Sequence, residues 1–85
     1  MTEANTTSPL ARVESSLARQ GMMQQLGVYL VAVEAGRCEL GLPFSDKVTQ
    51  QQGSFHGGAM GALADIAGGY AGLTVAPTEA EVTTV

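Results

Sequence analysis

Apolar positions follow three different periods along the chain. Leu10, Val13, Leu17 and Met22 or Met23 recur at roughly helical spacing, with Arg12, Glu14, Arg19 and Gln20 outside, which predicts an amphipathic helix that starts near Pro9 or Leu10 and ends around Gly21 or Gly27. Residues 28–33 form a short β-branched and aromatic run, Glu34-Ala35-Gly36 supplies a turn, and residues 37–42 alternate polar and apolar before Pro43. That pattern predicts a hairpin. Residues 44–49, with Asp46 and Lys47, read as a solvated loop. From Ala59 to Val75 no proline intervenes, and Pro77 with Thr78 provides a stop, so a helix of about four to five turns is expected. Residues 81–85 begin a further strand, and residues 1–9 are a polar, disordered lead-in to a domain covering 10–85.

The third of these elements has a costly composition. Gly61, Gly68, Gly69 and Gly72 each weaken a helix by about 1 kcal/mol relative to alanine, so packing must recover about 4 kcal/mol. Gly57, Gly61, Ala64, Gly68 and Gly72 share one face by the i, i+4, i+7, i+11 rule, while Met60, Leu63, Ile66, Tyr70 and Leu73 surround it. The expectation is a buried helix whose small face lies close to a sheet or another helix. Asp65 is its one ionisable side chain, and an unpaired carboxylate is expensive to bury. It is either a solvated acid at the edge of that face or a carboxylate held in a cleft.

The stretch Gln50-Gln51-Gln52-Gly53-Ser54-Phe55-His56-Gly57-Gly58 leads into this helix. A helix N-terminus offers unpaired N–H groups and a positive dipole end, and glycine lets a ligand oxygen approach them. Gly57 and Gly58 therefore suit a carbonyl or an oxyanion, or else simply turn the chain. Gly57 to Asp65 is eight residues, about 12 Å along one helix, too far for both to touch one carbonyl carbon. If they act together, the amide comes from one subunit and the carboxylate from another.

Residues 49–58, followed by Leu63-Ala64-Asp65 and Gly69-Tyr70-Ala71, resemble the hotdog-fold thioesterases of the phenylacetic-acid-degradation (PaaI) type. Residues 19–23, 26–27 and 36–43 resemble that family's opening helix and first strands, so the likeness covers most of 12–85. It implies an α+β hotdog fold, a long central helix wrapped by an antiparallel sheet, here with an extra N-terminal helix. It implies an acyl-CoA thioesterase working as a homodimer or homotetramer. The Gly57 and Gly58 amides then polarise the thioester carbonyl, and Asp65 of the opposite subunit attacks or activates water. Gln50 falls where the family carries an amide side chain that helps place the water or the thioester. His56 reads as a structural donor or cap that fixes the glycine turn, with a secondary chance of touching substrate, and Thr83 falls where related enzymes place a serine or threonine near the site. The family continues with further strands, so a truncated and inactive product is one alternative; a module that binds acyl-CoA or an acyl carrier without hydrolysing it is another.

Composition removes several classes. Four basic against eight acidic residues give a net charge of −4, which speaks against nucleic-acid and anionic-membrane binding. One cysteine, Cys38, excludes an intramolecular disulfide framework and reads as a small buried hydrophobe. One histidine and one cysteine cannot build a structural zinc site within one chain, so neither metal nor cofactor is expected. Nothing in the spacing favours a Cys38–His56 pair or a Ser54–His56–Asp65 triad, and the glycines lack the lysine of a phosphate-binding loop. No positively charged start followed by an apolar run appears, so no secretory signal is expected, and no apolar run approaches the roughly 20 residues of a membrane span, so a cytoplasmic protein is expected.

Overall fold

The structure, a computed structural model, describes residues 8–77. The strand expected over 81–85, and Thr83 within it, lie outside the described residues. Helix α1 spans Pro9–Ala18 and α2 Gly21–Leu26; strands β1 (Tyr29–Glu34) and β2 (Arg37–Gly41) follow, then a short 3-10 turn at Asp46–Val48, and finally the long helix α3, Gly57–Leu73. This is an α+β arrangement of a long helix with a two-stranded antiparallel sheet.

The single helix expected after Pro9 is in fact two. Ser8 caps α1 by accepting from the Ala11 N–H at 3.1 Å, and Pro9 opens the first turn, where its missing N–H costs nothing. The break comes at Arg19 and Gln20. Gln20 has extended backbone, and the Gln24 side chain donates back to the Leu17 carbonyl, which uses one of the acceptors left at the end of α1. Gly27 then ends α2 at φ 81°, the left-handed cap that glycine adopts without a Cβ penalty. After the kink Met23 is buried and Met22 exposed, and Leu10 lies largely outside the core.

In the hairpin Tyr29 pairs with Gly41, Leu30 with Leu40, Val33 with Cys38 and Glu34 with Arg37. The register shifts between Leu30 and Ala32. One extra residue at this bulge moves the inward positions from Leu30 to Ala32 and Val33, so strict alternation fails there. Arg37 bridges Glu34 at 2.7 Å and Glu39 at 2.6 Å; these carboxylates, Glu39 foremost, hold its guanidinium pKa above the ordinary value. The hairpin tip is fixed to α3: the Gly36 N–H donates to Thr74 Oγ1 at 2.7 Å, and that hydroxyl donates to the Ala71 carbonyl.

The core lies where α1, the hairpin and α3 meet. Val13, Leu17, Met23, Val28, Tyr70 and Leu73 are buried there, with Leu30, Val33, Leu40, Leu63 and Ile66 packed against them. Tyr70 is fully buried; its hydroxyl donates to Ser16 Oγ at 2.9 Å and accepts from Gln20 Nε2 at 3.2 Å, so the buried oxygen is satisfied. One turn before Ser16 on the same face of α1, Arg12 donates to the carbonyls of Ala76 and Pro77 at 2.9 and 2.8 Å. Both are charge-assisted bonds to carbonyls just past α3. Arg12→Ala is therefore expected to lower stability by about 1–3 kcal/mol, read as a fall in the urea midpoint, and Arg12→Lys to recover only part of that.

Helix α3 differs from its expected burial. It starts two residues earlier than expected, because His56 caps it, and ends at Leu73 with Thr74 as its C-cap. The small face at Gly57, Gly61, Ala64, Gly68 and Gly72 is exposed, and a Cβ at Gly57, Gly61, Gly68 or Gly72 would meet nothing within 4 Å. The bulky positions, Leu63, Ile66, Tyr70 and Leu73, do the packing instead. A two-stranded sheet reaches only one flank of the helix, so the glycines meet no partner within these residues.

Candidate active site

The loop before α3 is closed by its own hydrogen bonds. Thr49 and Phe55 form an isolated antiparallel bridge, and the His56 N–H donates to the Val48 carbonyl at 2.7 Å. Val48 itself is buried and anchors the base of the loop. Inside it, the Gln50 N–H donates to the Ser54 carbonyl at 2.9 Å and the Gly53 N–H to the Gln50 carbonyl at 3.0 Å. Gly53 sits at φ 88°, a conformation that side chains rarely take. The Gln50 side chain turns into the same loop: its Oε1 accepts from the N–H groups of Gln52 (2.5 Å) and Ser54 (3.2 Å), and its Nε2 donates to Gln52 Oε1 at 3.3 Å. Phe44 and Phe55 lie edge to face across the loop, 5.0 Å between ring centres.

This loop delivers His56, and His56 organises the helix end. Its Nδ1 accepts the Gly58 N–H at 2.8 Å, and its carbonyl accepts from Ala59 and Met60 at 3.1 and 3.2 Å. An accepting Nδ1 leaves the neutral ring's proton on Nε2. Of the two glycine amides expected to face a ligand, Gly58 is thus taken by the cap. The Gly57 N–H has no acceptor among the described residues.

Asp65 is exposed, on the same side of α3 as Gly57. At about 100° per residue, the exposed positions Gly57, Gly58, Met60, Gly61, Ala64, Asp65, Gly68 and Gly72 fill one arc of roughly 160°. The arc carries one charge, the Asp65 carboxylate, on a surface otherwise made of glycine, alanine and one methionine. Asp65 lies near one end of this arc, exposed and outside the lining of the groove that β2 forms with α3. His56, Gly57 and Gly58 form the helix start, Asp65 stands two turns further along, and the Gln50 side chain is bonded within the 50–54 loop.

Beside the arc lies an open groove of about 480 Å³ between β2 and the first half of α3, lined by Val31, Cys38, Leu40, Met60, Leu63 and Ala67 among others. The sequence pattern did not identify it, because its two walls are about 25 residues apart and only the packing of β2 on α3 joins them. Cys38 lines this groove. Burial, and then the neighbouring Glu39 carboxylate, push its thiol pKa up, so it is the protonated, weakly nucleophilic form at neutral pH. Among the described residues no three His, Cys, Asp or Glu side chains converge as metal ligands, and no helix is long and apolar enough to cross a membrane.

A crystal structure of a thioesterase family protein from Silicibacter pomeroyi matches this arrangement with a TM-score of 0.81, over 85% of the chain and at 35% sequence identity. The described fold is close to a thioesterase family structure. A curated protein of Saccharolobus solfataricus, named as a presumed esterase, is 36% identical over 58 residues, or 68% of this chain. No protein-family model matches. The chain spans 53% of the thioesterase family protein and 41% of the esterase-named one, about half the length of the relatives it matches.

Proposed function

We propose that this chain carries the helix and first strands of a hotdog-fold acyl-CoA thioesterase of the PaaI type, acting in the cytoplasm. The observation that carries the reading is the exposed arc of α3, where an unaccepted Gly57 N–H and the Asp65 carboxylate share a glycine-rich face. The likeness to a thioesterase family structure supports it.

The chemistry follows from those groups. A thioester carbonyl oxygen approaches Gly57, where no Cβ blocks it, and accepts the amide hydrogen bond. As a nucleophile adds to the carbonyl carbon, charge grows on that oxygen, and a fixed donor at a dipole end stabilises it more in the transition state than in the ground state. Asp65 of a second copy supplies the nucleophile or takes a proton from the attacking water. The carbon–sulfur bond then breaks, and the CoA thiolate leaves and takes up a proton; where water attacked, the free acid departs at once, and where the Asp65 carboxylate attacked, a water hydrolyses the resulting acyl–Asp65 anhydride to release the acid and restore the carboxylate. The exposed small-residue face lets two helix backbones approach closely, which supports a homodimer or a tetramer built from it. Gly58 and His56 hold the helix end for the substrate, and Thr83 is assigned a place near it by the same resemblance. An acyl-CoA or acyl-carrier binding module needs the same helix end without Asp65 chemistry; ligand binding without thiol release would identify it.

Gly57→Pro isolates the amide. Gly57 is the first residue of α3, where proline is tolerated, the preceding His56 has φ −71° and ψ 129°, which proline demands of its neighbour, and a side chain at 57 meets open space. The variant should keep its helical circular dichroism and lose about 10²–10³-fold in kcat on an acyl-CoA panel. Undiminished turnover would remove Gly57 from the mechanism.

A further inference from the structure

We infer that the groove between β2 and the first half of α3 receives an unbranched aliphatic acyl chain, its carbonyl at the Gly57 N–H and its tail directed toward Ala67. The inference rests on the thioesterase reading for the group that carries the chain, and on the groove's own shape and chemistry for the class of chain. The helix wall is made by Met60, Leu63, Ala64 and Ala67, three to ten residues after Gly57. At about 100° per residue these four positions share a sector of roughly 100°, and Gly57 falls about 20° beyond Ala64. The open donor therefore stands at the head of the groove. Val31, Cys38 and Leu40 of the hairpin form the opposite wall. Asp65 lies on the other flank of Gly57, so a chain laid in the groove stays clear of that carboxylate.

The lining decides what kind of chain fits. It carries no aromatic, hydroxyl or amide side chain, and its one charged member, Glu39, is engaged by Arg37 at 2.6 Å. Among the described residues no buried side-chain nitrogen or oxygen is left without a hydrogen-bond partner. An acyl group with a ring hydroxyl or a second carboxylate would lose water there and gain no partner, whereas methylenes only gain by leaving water. The length of the helix wall sets the length of the chain. Gly57 to Ala67 is ten residues, about 15 Å along the axis. With carbon–carbon bonds of about 1.5 Å, an extended chain advances about 1.25 Å per carbon, so about twelve carbons reach the level of Ala67.

Two measurements on the full chain test this. From butanoyl-CoA through hexanoyl-CoA to dodecanoyl-CoA, kcat/KM should rise about two- to fourfold per added methylene, and hexadecanoyl-CoA should bring no further gain. Ala67→Leu, which fills the far end with a good helix former, should lower the dodecanoyl rate about tenfold and leave the hexanoyl rate within about twofold. Occupancy is read without turnover through Cys38, the one cysteine of the chain and part of the groove wall. Its labelling by a maleimide at alkaline pH should slow about fivefold with decanoate a few times above its Kd, and stay unchanged with butanoate. A rate flat with chain length, phenylacetyl-CoA turned over faster than dodecanoyl-CoA, or labelling that decanoate leaves unaltered overturns the inference. So does a Cys38 that reacts only once the free chain is unfolded in urea, because polypeptide then fills the groove. If no thioester is hydrolysed while decanoate still protects Cys38, the thioesterase reading fails and the groove keeps its ligand.

Discussion

Asp65→Asn is expected to reduce thioester hydrolysis by about 10³-fold or more while leaving the fold intact. The two halves of that result come from different observations. The fold survives because Asp65 is exposed on α3 and lies outside the cluster formed by Val13, Leu17, Met23, Val28, Tyr70 and Leu73, and asparagine has nearly the same shape. Activity does not survive because a carboxamide neither takes a proton from water nor attacks a carbonyl, and a positioned general base typically contributes about 10²–10⁴-fold. Thiol release from acyl-CoA, measured beside the melting curve of the same preparation, separates the two. A variant that melts like its parent and keeps turnover within tenfold would show that Asp65 is only a solvated helix acid.

The largest effect on stability is expected at Tyr70. It is fully buried in the core, and its hydroxyl joins the end of α3 to Ser16 of α1 and to Gln20 in the α1–α2 break. Tyr70→Ala removes a ring and should cost about 3–5 kcal/mol, a large part of the 5–15 kcal/mol that whole domains typically possess. Tyr70→Phe keeps the ring and leaves Ser16 and Gln20 without their partner, at about 1–2 kcal/mol. Urea titrations of both, with m unchanged, give the comparison. Equal losses would mean that the hydroxyl network and not the packing holds the helices together.

The parts of this molecule legible in its sequence are those set by local rules. The hairpin appeared because residues 28–42 change period around Ala35-Gly36, and α3 because Pro77 closes a proline-free run. The cap at His56 followed from its place before two glycines. What escaped depends on which surfaces meet. Small residues at helical spacing read as a packed face, yet the burial fell to the bulky Ile66, Tyr70 and Leu73, since spacing defines a face without naming its partner. The break at Arg19 and Gln20 escaped because it is held by glutamine side chains reaching Leu17 and Tyr70, contacts with no periodic signature. Within the candidate site, residue types pointed to Gly57, Gly58 and Asp65, and the family resemblance alone pointed to Gln50. Only coordinates distinguish the open Gly57 amide from the capped Gly58 one, or turn Gln50 inward.

The bond from Tyr70 to Ser16 joins residues 54 positions apart. During synthesis at about 5–20 residues per second, Ser16 and the apolar side of α1 emerge roughly 3–10 s before the residue that will cover them. In that interval Val13 and Leu17 face water or the hairpin alone. The newborn chain therefore passes through a stage of several seconds in which its first helix is an adhesive surface, and the completion of α3 is the event that ends its exposure to chaperones and neighbouring chains.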